Sequence, residues 1–134
     1  MFDKKLIDKL ALLYIKDRKV LFVRSISKKI FYTVGGKREI GETDTEALTR
    51  ECKEELGVCL IPETIKFLNI FNDIADNNEN ISIKITCYEA NFLETPKPSS
   101  EIEEMAWFTS KDIERTTSTG KQILLWLNEK NLID

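Results

Sequence analysis

Along most of the chain, short apolar runs alternate with polar turns, and helical spacing is clear at only two places. Leu10–Tyr14 and Val20–Arg24 are largely apolar and flank the polar Lys16-Asp17-Arg18-Lys19, which predicts a β-hairpin. A third short strand is expected over Phe31–Val34, ended by Gly35-Gly36. After a loop to Glu42, Thr43 and Glu46 stand in the S/T-x-x-E order that satisfies the free amides of a helix start. Ala47, Leu48, Cys52 and Leu56 then share one helical face, and Gly57 supplies a stop. The helix is expected from Asp44 to Leu56.

Val58–Ile61, Ile65–Ile74 and Ile81–Tyr88 read as further strands, the last two joined by a turn-rich segment over 75–80. Pro96 and Pro98 punctuate a loop before a short buried strand, Met105–Phe108. Ser110–Ile113 predicts one helical turn, and Ile123, Leu124 and Leu127 set the apolar stripe of a closing helix from about Thr119. Strands outnumber helices and their order is mixed. The expected product is an α+β fold, an α/β/α sandwich with one mixed β-sheet flanked by helices, formed as a single domain over residues 1–134.

Composition narrows the chemistry more than the class. The 134 residues are 42% hydrophobic and 32% charged, which places the chain among globular rather than disordered proteins. The longest apolar runs, Leu10–Ile15 and Ile123–Leu127, fall far short of the roughly 20 residues of a membrane span. Asp8 and Lys9 interrupt the N-terminal pattern and argue against a signal peptide, so the expected location is cytoplasmic. The net charge of −3 is spread without a long basic block, and nucleic acid is not expected as a partner. Cys52, Cys59 and Cys87 form no CxxC pair and read as reduced thiols.

Histidine is absent from the chain, which excludes a Ser-His-Asp triad, a Cys-His pair and any histidine-ligated zinc. Acid–base work must then fall to carboxylates, lysines, tyrosines or a metal-activated water.

The helix over 44–56 carries a conspicuous charge pattern. Glu51, Glu54 and Glu55 stand at i, i+3 and i+4 and so project from neighbouring points. Like charges at that spacing cost roughly 0.2–0.5 kcal/mol per pair. Glu54 and Glu55 also lie in the last turn, where the helix dipole disfavours negative charge. A cation among them reverses the sign of these terms. Mg²⁺ fits a set of hard oxygen donors, and Mn²⁺ fits similar ligands. The plainer alternative is a solvated face, since Arg50 is four residues from both Glu46 and Glu54 and ion pairing accounts for part of the pattern.

The flanking residues weigh against that alternative. Gly36, Glu42, Arg50, Glu51, Glu54, Glu55, Gly57 and Val58 stand in the spacing G-x5-E-x7-R-E-U-x-E-E-x-G-U, with U a bulky apolar residue. Seven fixed letters coincide by chance on the order of once in 10⁸ to 10⁹ starting points. The segment resembles the signature box of the Nudix hydrolases, MutT-like enzymes that cut phosphate anhydrides in nucleoside diphosphate derivatives. It departs at Cys52, which takes a U position usually held by an aliphatic residue, and at Val34, where the family often has proline.

The resemblance implies a role for each matching residue. Glu54 and Glu55 would be the main metal ligands, with the Gly36 carbonyl adding an oxygen. Glu51 would bind metal or accept the proton of the attacking water; Arg50 would orient the glutamates, Glu42 would brace the loop, and Gly57 would end the helix. A further acid often comes from outside the box, and Glu101 is favoured over Glu103 and Glu104 by its distance from Trp107. Arg24, Lys37 and Arg38 are candidate phosphate contacts. The implied substrate is a small nucleotide, and a homodimer is possible for a relative of this family. Residues 71–75 contain neither the proline of ADP-ribose-type members nor the tyrosine of dinucleoside polyphosphate types, which leaves a nucleoside triphosphate or related derivative. A non-catalytic, nucleotide-sensing Nudix domain is the alternative, although such domains typically lose box glutamates. An isopentenyl diphosphate isomerase of the same fold would need histidines that this chain lacks.

Overall fold

Both faces of the central strands are covered, and this accounts for their nearly continuous apolar sequence. The structure, a computed structural model, describes residues 5–75 and 78–134. Strands β1 (Lys5–Leu12), β2 (Ile15–Lys16), β3 (Lys19–Ser25) and β4 (Tyr32–Lys37) precede helix α1 (Asp44–Leu56). Strands β5 (Lys66–Ala75), β6 (Asn78–Glu89) and β7 (Ile102–Phe108) follow, and then helix α2 (Ser118–Glu129). Short 3-10 segments lie at Pro62–Thr64 and Ser110–Arg115.

The strands join in the order β2-β3-β4-β1-β6-β5, with β7 paired to β3. β1 runs parallel to β6 and antiparallel to β4, so the sheet is mixed, as expected. Leu10, Leu12, Leu21 and Val23 point to the α1 side, where they pack with Ala47, Leu48, Cys52 and Leu56. Ala11, Leu13, Val20 and Phe22 point the other way, into a second cluster with Ile123, Leu124 and Leu127 of α2. The period of two along each strand thus feeds two cores, one under each helix.

Local signals place α1 where the sequence predicts it. The Thr43 hydroxyl accepts from the Glu46 amide at 3.2 Å, and the Glu46 carboxylate accepts from the Thr43 amide at 2.9 Å. Such a cap contributes about 1 kcal/mol. Gly57 adopts φ 69° and donates its N–H to the Lys53 carbonyl at 3.0 Å. A hairpin is present, turned by Asp17 and Arg18 at φ 53° and 62°, the mirror-image turn that matches strand twist, but its first arm is Ile15–Lys16 rather than Leu10–Tyr14, because β1 pairs with β4 and β6 instead.

Several boundaries differ from expectation. β4 does not stop at the glycines but runs through Gly35 and Gly36 to Lys37, because β1 pairs with them in register. Val58–Ile61 is not a strand; Val58 and Leu60 are apolar because they are buried as an extended connection in the α1-side core. β7 begins at Ile102 rather than Met105, and the single turn at Ser110 extends to Arg115. Of the expected turn over 75–80, Asp76 and Asn77 lie outside the described residues. No helix among the described residues is long and apolar enough to cross a membrane.

Candidate metal and active site

The C-terminal half of α1 lies against the Gly35-Gly36 segment of β4, and each glycine meets one glutamate. The Gly35 amide donates to Glu55 Oε1 at 2.9 Å. Gly35 has φ 136°, and a Cβ there would overlap the Leu10 carbonyl, so only glycine presents its amide to the helix in this way. A Cβ on Gly36 would fall 2.8 Å from the Glu51 carboxylate carbon. The paired glycines exist to let two carboxylates approach a backbone.

The three box glutamates differ sharply in setting. Glu55 is only 2% exposed, Glu51 is half-buried and Glu54 is exposed. Burial pushes the Glu55 carboxyl up to about 8; the Gly35 amide opposes this, while the charges of Glu51, Glu101 and Glu54 add to it. Burial also raises Glu51, with Arg50 pulling the other way. The charges of Glu54 and Glu101 act on both Glu51 and Glu55, which couples the box electrostatically to the loop before β7.

Arg50 organises the group's solvent edge. Its Nε and Nη2 donate to the two oxygens of Glu42 at 2.8 and 2.9 Å, the parallel fork that suits guanidinium and carboxylate. Nη1 donates to Glu51 at 2.8 Å and lies 3.5 Å from Glu54, and Nη2 also reaches the Lys37 carbonyl at 3.1 Å. Glu42 is thereby held down at about 2, and it accepts the Glu39 amide in addition. Of the two ion pairs that the helical spacing allows for Arg50, the one with Glu54 forms; Glu46 is taken by the cap.

Glu101 reaches this edge through backbone pairing rather than through the box. The Lys97 and Ser99 amides donate to the Leu56 and Glu55 carbonyls at 3.0 Å each, tying the loop before β7 to the unpaired end of α1. The Glu101 carboxylate is exposed and accepts the Ser100 hydroxyl at 2.7 Å.

The three expected phosphate contacts are differently placed. Arg24 is held by Glu103 and Glu104 at 3.0 Å each, with the Lys28 carbonyl at 2.8 Å. Arg38 is paired with Asp8 and Asp44, the latter also accepting from the Tyr88 hydroxyl at 2.6 Å. Both guanidiniums are engaged by carboxylates. Lys37 is exposed and makes no ion pair among the described residues. A cavity of about 570 Å³ opens beside Gly35 and Gly36, and none of these three residues lines it. Two other lysines line it, Lys9 and Lys28. A signal for Lys9 existed in the sequence: it interrupts the inward alternation of Ile7 and Ala11 on β1, continued by Leu13 just beyond it.

Carboxylate and carbonyl oxygens with no soft donor suit a hard divalent cation. No three acidic or cysteine side chains among the described residues already converge as a ready-made ion cage.

Comparison with known proteins bears on the fold and the family. The NUDIX domain model matches residues 8–127. The MutT NUDIX hydrolase of Burkholderia pseudomallei superposes with a TM-score of 0.74 at 22% identity, covering 92% of this chain and 98% of that one. The MutT protein of Methanosarcina mazei Go1 gives 0.77 at 17% identity, with 98% and 99% covered. A UDP-X diphosphatase gives 0.73 at 19% identity, with 98% of this chain and 66% of that chain covered. No curated protein sequence matches the chain. With the family model spanning nearly the whole chain and the box folded as loop, helix and loop around paired glycines, the protein belongs to the Nudix hydrolases, pyrophosphohydrolases that act on acid anhydrides of phosphorus in nucleotide derivatives.

Proposed function

We propose that this protein uses Mg²⁺, or Mn²⁺ in its place, to cleave a phosphate anhydride in a nucleoside triphosphate or related nucleoside diphosphate derivative. The observation that carries the reading is Glu55, buried and held by the Gly35 amide, with Glu51 against Gly36 and the charges of Glu54 and Glu101 acting on both. Glu54 and Glu55 would hold the cation, joined by the Gly36 carbonyl and by Glu101. When bound, the cation neutralises the diphosphate and lowers the pKa of the attacking water.

The remaining work falls to the chain itself. Glu51, half-buried and held by Arg50, would hold the cation or accept the proton of the attacking water. Arg50 fixes the direction of Glu51 and Glu54 and ties both to Glu42, which braces the loop. Lys37 is free to meet a phosphate, whereas Arg24 and Arg38 would have to exchange a carboxylate for one.

The test is a panel of nucleoside triphosphates, nucleotide sugars, dinucleotides and coenzymes, assayed for release of phosphate or nucleoside monophosphate with Mg²⁺ or Mn²⁺. At least one compound should be cleaved, and Glu54→Gln should abolish that turnover with the circular dichroism unchanged. If neither ion supports cleavage of any compound, the hydrolase reading fails in favour of a nucleotide-sensing domain.

A further inference from the structure

Lys9 stands in β1 at a position whose neighbours on the same face, Ile7 and Ala11, are apolar. It is half-buried, and it makes no ion pair or side-chain hydrogen bond among the described residues. Burial and the facing Lys37, its partner in the sheet register, both disfavour its charge. The carboxylates of Glu51 and Glu55 are near enough to favour it, yet their own contacts go elsewhere, to Arg50 and to the Gly35 amide. A lysine kept there at a cost to the fold, with its ammonium unspent, fits a group reserved for a ligand.

The cavity says where that ligand lies. Its wall includes Lys9, Lys28, Tyr32 and Thr33, together with the same Gly35 and Gly36 that meet the box glutamates. No acidic side chain lines it. Lys9 lines the cavity and lies within the field of Glu51 and Glu55, so a molecule extending from the cavity towards those carboxylates comes within reach of its ammonium. We propose that Lys9 is a substrate-binding residue that takes the diphosphate of the substrate at the mouth of this cavity. The assignment rests on the hydrolase reading for the identity of the substrate, while the binding it describes does not require cleavage. It adds a second cation to the exposed Lys37 at a site where Arg24 and Arg38 are occupied by carboxylates.

Methylenediphosphonate, which carries the two phosphorus groups but cannot be hydrolysed, is the probe. Its affinity is measured by calorimetry for the wild type, Lys9→Met and Lys9→Arg, with and without Mg²⁺, alongside the melting temperature of each. Loss of one charge-assisted contact predicts binding weakened roughly tenfold to a hundredfold in Lys9→Met. Lys9→Arg should retain most of the affinity, and the melting temperature of Lys9→Met should be equal or higher, since methionine suits a half-apolar position better than an unpaired ammonium. Failure of the wild type to bind the probe, or equal binding by wild type and Lys9→Met, would overturn the assignment. Turnover of the nucleotide panel by the wild type is scored separately, so failure of the hydrolase reading is distinguishable from failure of this one.

Discussion

Gly36 and Glu51 are in such close register that the glutamate's carboxylate occupies the space a Cβ would need, 2.8 Å from its position. The obstruction is the far end of a side chain, so Gly36→Ala should fold with little loss of stability while displacing Glu51. A shift of about 1 Å at a reacting group costs on the order of a hundredfold in rate. Turnover should fall by that order with the melting temperature nearly unchanged; retained activity would show that the position of Glu51 is not critical.

Glu55 links pH to stability in a defined direction. Its folded carboxyl lies at about 8, whereas an unfolded glutamate releases its proton near 4.5, so between these values the folded state holds the extra proton. Stability should therefore be fullest below the unfolded value and should decline as pH rises towards 8 in metal-free protein. Glu55→Gln should flatten that decline, because the amide keeps the Gly35 contact without a charge. Saturating Mg²⁺ should offset it in the wild type and not in Glu55→Gln. Melting curves across this range, with chelator and with Mg²⁺, would refute the account if the variant and wild type shared one slope.

Arg50 binds Glu42 through two parallel hydrogen bonds and reaches Glu51 with a third nitrogen. A lysine offers one point charge and cannot reproduce that fork. Arg50→Lys should lower kcat by roughly ten- to a hundredfold, the range seen when the partners of metal ligands are lost. The Glu42 side of the pairing has its own pH signature. With Glu42 held at about 2, its contribution is present above the ordinary glutamate range and lost as pH falls through about 2. Acid unfolding of Arg50→Lys should begin at higher pH than that of the wild type.

Glu101 and Glu103 separate a ligand from a structural anion. Glu101 shares the field of Glu51 and Glu55, while Glu103 is 3.0 Å from Arg24. Glu101→Gln should weaken Mg²⁺ binding about tenfold or more, and Glu103→Gln should leave it within about twofold. Equal metal affinities for the two variants, measured by calorimetry, would remove Glu101 from the site.

What the sequence determined by itself was the part whose physics is short-range. The bounds of α1, its capping box, its left-handed stop and the i, i+3, i+4 glutamates all depend on residues within a few positions of one another. The turn at Asp17 and Arg18 is local in the same sense. Tertiary structure decided the rest. Val58 and Leu60 look like a strand because burial, not pairing, asks for apolar side chains there. Equal glutamates became unequal because β4 passes over Glu55 and leaves Glu54 in water. Arg24 and Arg38 met carboxylates from β7, β1 and α1, and Lys9 met a cavity instead. Spacing along a chain reports which side chains share a face; what that face touches depends on segments far away in sequence, and burial and charge pairing follow from that.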